Sequence, residues 1–194
     1  MEEIIRYKML RSRRKTIGLE ITPKGELIVR APQNASMEAI EKVIREKASW
    51  IREHQKLAVA RNKEREEFIS GLDPITDEEI EHLANRMFVE FPPRVKEFAS
   101  RLGVRVGRIT IRTQRTRWGS CSSKGNLNFN CLVMLAPKEV QDYIIVHELC
   151  HRLEMNHSKR FWELVGSILP DYKESEKWLN TEGKLIMLRA FEAE

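Results

Sequence analysis

The segment "IIVHELCHRLEMNHSKRFW", residues 144–162, carries three of the five histidines of the chain. His147 and His151 stand four apart with Glu148 directly after the first, and His157 follows six residues later. On an α-helix, residues i and i+4 differ by about 40° in angle and about 6 Å along the axis. Two imidazoles at that spacing leave one face, a turn apart, and can converge on one ion. Neutral imidazole nitrogens suit zinc at about 2.0–2.1 Å. Glu148 lies too far round the helix to share the ligand role comfortably, but it can reach a water held at the ion, whose pKa falls towards about 7. A carboxylate there takes the proton of that water as it attacks a carbonyl, then passes it to the leaving amine.

A catalytic zinc needs a third protein ligand and an open position. His157 is the leading candidate, placed beyond the expected helix end in "LEMNHS", where Asn156 can make a turn. Its distance from His151 equals that in the metzincin pattern H-E-x-x-H-x-x-G-x-x-H, yet Glu154 stands where that pattern has glycine. The chain must therefore turn back by another route. The downstream acids Glu163, Glu174 and Glu176 are the rival ligands, as in gluzincins. The bland alternative is a helix end that happens to expose histidines. A third histidine at working distance, and an amphipathic helix that ends at the motif, both count against it.

The elements that must position these residues can be read from periodicity. The first 32 residues read as a β-meander of "EIIRYKML", "KTIGLEI" and "LIVRAP", with "TPKGE" as a turn. Apolar residues then recur at three- and four-residue intervals from Ser36, which predicts one long helix to about Phe68 with a charged, solvated end. "SGLDP" breaks it, and Thr76 with Glu79 forms a capping-box pattern for a second helix. "FPP" at 91–93 is expected to kink or end that helix, with a further one running to Gly103. Strands are expected at 108–114 and 126–135, joined by the turn-rich "RTRWGSCSSKG". Pro137 opens the histidine helix, Ser158 caps another that stops at Pro170, and a polar tail closes the chain. The sequence shows no internal repeat. The expected division is 1–59 for the strands and long helix, 60–92 for a helical insertion or appendage, and 93–194 for the catalytic region.

Composition limits the rest. A chain of 194 residues with 41% hydrophobic and 32% charged residues suits a soluble globular protein of one domain, or one domain with an appendage. No apolar run approaches the roughly 20 residues needed to span a bilayer. The opening "MEEIIRYKMLRSRRKT" does not read as a signal peptide. Three cysteines, with no C-x-x-C pair, suggest a reducing compartment, so a cytoplasmic location is expected. The net charge of +5 peaks in "RSRRK" at 11–15, which reads first as a charged strand edge and second as a contact for a polyanion.

The segments "TRWGSCSSKGNLNFN", "LAPKEVQDYIIVHELCH", "MNHSKRFW" and "PDYKESEKWL", in this order, resemble the YgjP-like metallopeptidase family, zinc-dependent hydrolases of the zincin type related to the SprT-like group. "RSRRKTIGLEI" and "REKASWI" resemble its opening segment, so the resemblance spans about 1–60 and 95–185. It implies a compact α+β zincin-like fold with an N-terminal β-meander, a long helix, a small antiparallel sheet and an active-site helix. It further implies one zinc per chain on His147, His151 and His157, with Glu148 as general base. By the same analogy an extended peptide substrate pairs with a strand above the active-site helix, for which 126–134 is the candidate. Arg115 or Arg117 is a candidate to steady the oxyanion. Cys121 is an alternative candidate ligand, Cys150, Phe161 and Trp162 are expected in the core, and Tyr172 is either an oxyanion donor or part of a helix-end turn. Two other functions compete with the peptidase: a nucleotide or phosphoanhydride hydrolase that uses the basic patch, and a nucleic-acid-associated protein. Loss of Arg13 and Arg14 should spare the first, raise KM in the second and flatten salt dependence in the third.

Overall fold

A computed structural model describes residues 5–193, so the first two residues of the expected opening strand lie outside the described residues. The chain divides into two compact units, Met1–Gly71 and Leu72–Glu194, each with its own apolar core. No helix among the described residues is long and apolar enough to cross a membrane.

In the first unit, β1 (Tyr7–Ser12), β2 (Gly18–Ile21) and β3 (Leu27–Pro32) form a sheet in the order β1-β3-β2. This is not a meander. β3 enters between the other two, parallel to β1 and antiparallel to β2. The reason lies in β3, whose Leu27, Val29 and Ala31 alternate fully inward, as a central strand requires, whereas β1 is exposed along nearly its whole length. The expected long helix is two: α1 (Met37–Glu46), capped by the Ser36 hydroxyl, and α2 (Ala48–Ser70). Lys47 leaves the helical conformation between them, and the Ile51 that follows is buried with Ile40 and Ile44 against the sheet. The charged later turns of α2 are exposed, as their composition requires.

In the second unit, Thr76 and Glu79 make the expected reciprocal capping box at the start of α3 (Asp77–Leu102). Thr76→Ala removes the bond to the Glu79 amide and is expected to cost about 1 kcal/mol, read as a lowered denaturation midpoint with unchanged activity. Pro92 and Pro93 do not end this helix. The carbonyls they deprive of donors belong to Phe88 and Val89, 73% and 70% exposed, where water can serve instead. Meanwhile buried Met87, Phe91 and Val95 hold both halves to the core.

The second sheet contains β4 (Ile109–Arg112), β5 (Gly119–Cys121) and β6 (Leu127–Asn130) in the order β4-β6-β5. It is mixed, not antiparallel, because β4 runs parallel to β6. The expected strand at 126–135 ends at Asn130, whose side-chain oxygen accepts from the Leu132 amide and starts a 3₁₀ turn, Cys131–Leu135. β5 lies inside what the sequence presents as a turn-rich link.

The two sheets repeat one plan, although no repeat is legible in the sequence. Each has a first strand parallel to the third and a second antiparallel to it, and Leu19↔Val29 and Ile21↔Leu27 have their counterparts in Gly119↔Phe129 and Cys121↔Leu127. The turns before the third strands also match. Thr22 and Ser122 each accept from the amide four residues on, and Gly25 and Gly125 sit at φ of 80° and 83°. The backbone plan and the turn geometry are shared; most of the paired side chains on the strands differ.

Active-site helix α4 (Lys138–Cys150) is followed by α5 (Lys159–Ile168), α6 (Tyr172–Asn180) and α7 (Glu182–Phe191). The last two stand where the sequence suggests a polar tail. α4 buries residues around most of its circumference, which fixes its rotation as well as its axis. At its start, Arg94 of α3 pairs with Asp142 and donates to Gln141 Oε1 at 2.6 Å. With the fully buried Ile145, Val146 and Leu149, this clamp positions the face that carries the histidines.

Candidate metal centre

α4 ends at Cys150, so His147 lies in its last turn and His151 caps it. Turns close on the Cys150 carbonyl from the amides of Leu153 and Glu154, and the chain bends back to bring in His157. No non-glycine residue among those described has positive φ, so the return dispenses with the glycine that metzincins use and needs no left-handed Asn156.

The ligand atoms of His147, His151 and His157 all lie within 4.8 Å of one another. His147 Nε2 and His157 Nε2 face each other at 3.1 Å. Two nitrogens bound tetrahedrally at about 2.0–2.1 Å would be roughly 3.4 Å apart, so this donor set fits one small ion. His151 Nδ1 faces the Glu154 carbonyl at 3.1 Å; as the donor there it leaves Nε2 free for a metal. His147 Nδ1 is buried without a partner, and its ring is oriented by packing. Phe161, wholly buried, lies under all three imidazoles at centroid distances of 4.9, 4.6 and 4.8 Å. Burial, helped by the two neighbouring rings, holds His147 down at about 3, and burial also lowers His151. Both therefore remain neutral, the form that ligates metals.

Glu148 is 5% exposed, and burial pushes its carboxyl up to about 8, against the pull of Arg117. Its side chain fits against β5 only because residue 119 is glycine. A Cβ there would come within 2.7 Å of Glu148 Oε1 and 2.8 Å of Cγ. His147 and Glu148 open onto a cleft of about 300 Å³ whose other walls come from residues 116–119 and from α6.

Among the described residues, none of the rival ligands joins the histidines. Glu163 pairs with Lys159 on an exposed face, Glu174 is exposed, and Glu176 lines the cleft. Cys121 is half-buried outside the cluster, and Cys150 is fully buried as expected. Trp162 is less buried than its expected core role requires: it stacks on His157 at 5.8 Å and on Tyr172 at 5.4 Å, and Tyr172 stacks in turn on Tyr143. Asn130, absent from the sequence-based candidates, is 0% exposed and donates to the carbonyls of Gln114 and Arg117, fixing the loop that forms one wall. Its only signal in the sequence is a polar residue at an inward strand position.

No curated protein matches the chain. Among solved structures it is similar to the metallopeptidase zymogen abylysin of Pyrococcus abyssi, at 26% identity and a TM-score of 0.44, over 47% of this chain and 93% of that one. It is likewise similar to the metallopeptidase zymogen jannalysin of Methanocaldococcus jannaschii, at 24% identity and a TM-score of 0.43, over 48% and 96%. The YgjP-like metallopeptidase domain family matches residues 15–83 and 76–182, and on that match over most of its length the chain belongs to this family and is a hydrolase of the metallopeptidase class.

Proposed function

We propose that the chain holds one zinc ion through His147, His151 and His157 and hydrolyses peptide bonds with Glu148 as general base. The observation that carries this reading is the approach of three imidazoles to within 4.8 Å beside the buried Glu148. When bound, the ion supplies Lewis acidity at the substrate carbonyl and a nucleophilic water near neutral pH. Glu148 takes the proton of the attacking water and delivers it to the departing amine. Its tight seat against Gly119 limits the positions that its carboxylate can adopt. The walls of the cleft, from residues 116–119 and α6, are placed to orient the peptide.

An extended substrate pairs, in this reading, along β5. The strand expected for this role, within 126–134, cannot serve. β6 is already paired on both sides, and residues 131–135 are helical. β5 is the sheet edge whose Gly119 touches the general base. A cytoplasmic location is supported by three free cysteines, two of them buried.

A polyanion partner gains no support from the basic patch. Arg11 donates to the carbonyls of Pro32, Gln33 and Ala35, and the Arg14 guanidinium packs over Gly18. These cations brace the first unit.

Metal content of protein purified without added metal or chelator tests the proposal. About one zinc per chain is expected in the wild type, and His157→Ala should lose most of it, because two imidazoles bind far more weakly than three. Zinc retained at full stoichiometry in the variant would remove His157 from the ligand set.

A further inference from the structure

We propose that Arg117 is a further catalytic residue whose guanidinium holds the carbonyl oxygen of the scissile peptide as negative charge develops on it. This rests on the metallopeptidase reading of the site and adds to it the group that stabilises the transition state.

The segment 114–119 is braced on three sides. Asn130 Nδ2 donates to the Gln114 and Arg117 carbonyls at 2.7 and 3.0 Å, and the Asn130 amide donates to the Trp118 carbonyl at 2.8 Å. Trp118 packs so closely on Gly183 that a Cβ there would fall 3.0 Å from the indole. Gly119 abuts Glu148. The backbone is held firmly, and the two arginines it carries part company. Arg115 lies over the ring of Phe191 at 5.4 Å. Arg117 instead lines the cleft with His147 and Glu148.

Arg117 has no hydrogen bond or ion pair for its guanidinium among the described residues, yet it is near enough to act on the charge of Glu148. Arg117 shares the cleft with Glu148 without pairing with it, so its guanidinium is available to another oxygen. It is also the only permanently cationic side chain among the residues that line the cleft. Glu176, which also lines the cleft, would repel an oxyanion, and Tyr172 is held in a ring stack between Trp162 and Tyr143.

The chemistry balances without further reactants. The water oxygen bonds to the carbonyl carbon, its proton goes to Glu148, and the C=O π pair moves onto the carbonyl oxygen. That oxygen accepts hydrogen bonds from Arg117, which gives up no proton. When the pair returns, the C–N bond breaks and Glu148 protonates the amine. A donor that meets an oxygen as it gains charge lowers the barrier without tightening the ground state.

The test compares metal-loaded wild type, Arg117→Met, Arg117→Lys and Glu148→Gln in hydrolysis of fluorescein-labelled casein and a fluorogenic peptide, and in binding of a phosphinic analogue of that peptide. Arg117→Met is expected to lower kcat by about 10²–10³-fold with KM and metal content unchanged, and to weaken the phosphinic analogue in proportion to kcat/KM. Arg117→Lys should recover part of both. A rise in KM alone, confined to acidic substrates, would make Arg117 a specificity residue and overturn the inference, as would full activity in Arg117→Met while Glu148→Gln is dead. An active Glu148→Gln, or a metal-loaded wild type that cleaves neither substrate, would instead bring down the underlying reading and this inference with it.

Discussion

Replacing Glu148 with glutamine is expected to lower kcat by about 10²–10⁴-fold while leaving bound metal and thermal stability at wild-type levels. The two side chains have the same shape, so the fit against Gly119 survives. The amide cannot accept the water's proton, and all general-base catalysis is lost. Stability should if anything rise slightly, because Glu148 is almost wholly buried and the neutral amide avoids the desolvation that pushes its carboxyl up to about 8. Elemental analysis and turnover measured on the same preparation decide the matter. Retained activity would remove Glu148 from the base role, and loss of metal together with activity would mean that Glu148 supports the ligands and leaves its part in catalysis undefined.

Much of this site is legible in the amino-acid sequence, for a physical reason. The His147–Glu148–His151 constellation depends on helix geometry alone, which residue spacing reports directly. Ser158, Thr76 and Gly103 mark helix ends because capping is equally local. His157 is legible as a distance along the chain, although the route by which it returns is not. Illegible are the features decided by tertiary packing. β5 has three residues, "GSC", too few for alternation to show. The parallel pairing of β1 with β3 and of β4 with β6 depends on which strand is apolar enough to be central. Pro92 and Pro93 read as a break, yet the core side of α3 outweighs their missing hydrogen bonds. The shared plan of the two sheets lies in topology and in two Gly-containing turns, while most strand side chains differ, so sequence comparison does not show it. Asn130 belongs to the same class, since its bonds to residues 114 and 117 exist only once β6 lies beneath that loop.

Gly119 offers the sharpest test of how sheet and helix cooperate. Gly119→Ala is expected to reduce kcat by about 10²-fold or more, on the scale of losing a positioned general base, while metal content stays near wild type. The residue is not at positive φ, so alanine meets no backbone strain and lowers the entropy of the unfolded chain. The conflict is with one side chain: the new methyl would lie 2.7 Å from Glu148 Oε1, 2.8 Å from Cγ and 3.0 Å from Cδ. Oε1 can swing aside, but Cγ is tied to a helix packed on nearly all sides, so the carboxylate must leave its position as a whole. The histidines leave the helix in other directions and keep theirs. A double-mutant cycle separates this from general damage, because residues acting through one group are non-additive. In the Glu148→Gln background, Gly119→Ala should cause almost no further loss of kcat. If the two losses multiply, or if Gly119→Ala alone is fully active, then the close seat of Glu148 on β5 is packing without catalytic consequence, and the case for β5 as the strand that aligns the substrate weakens with it.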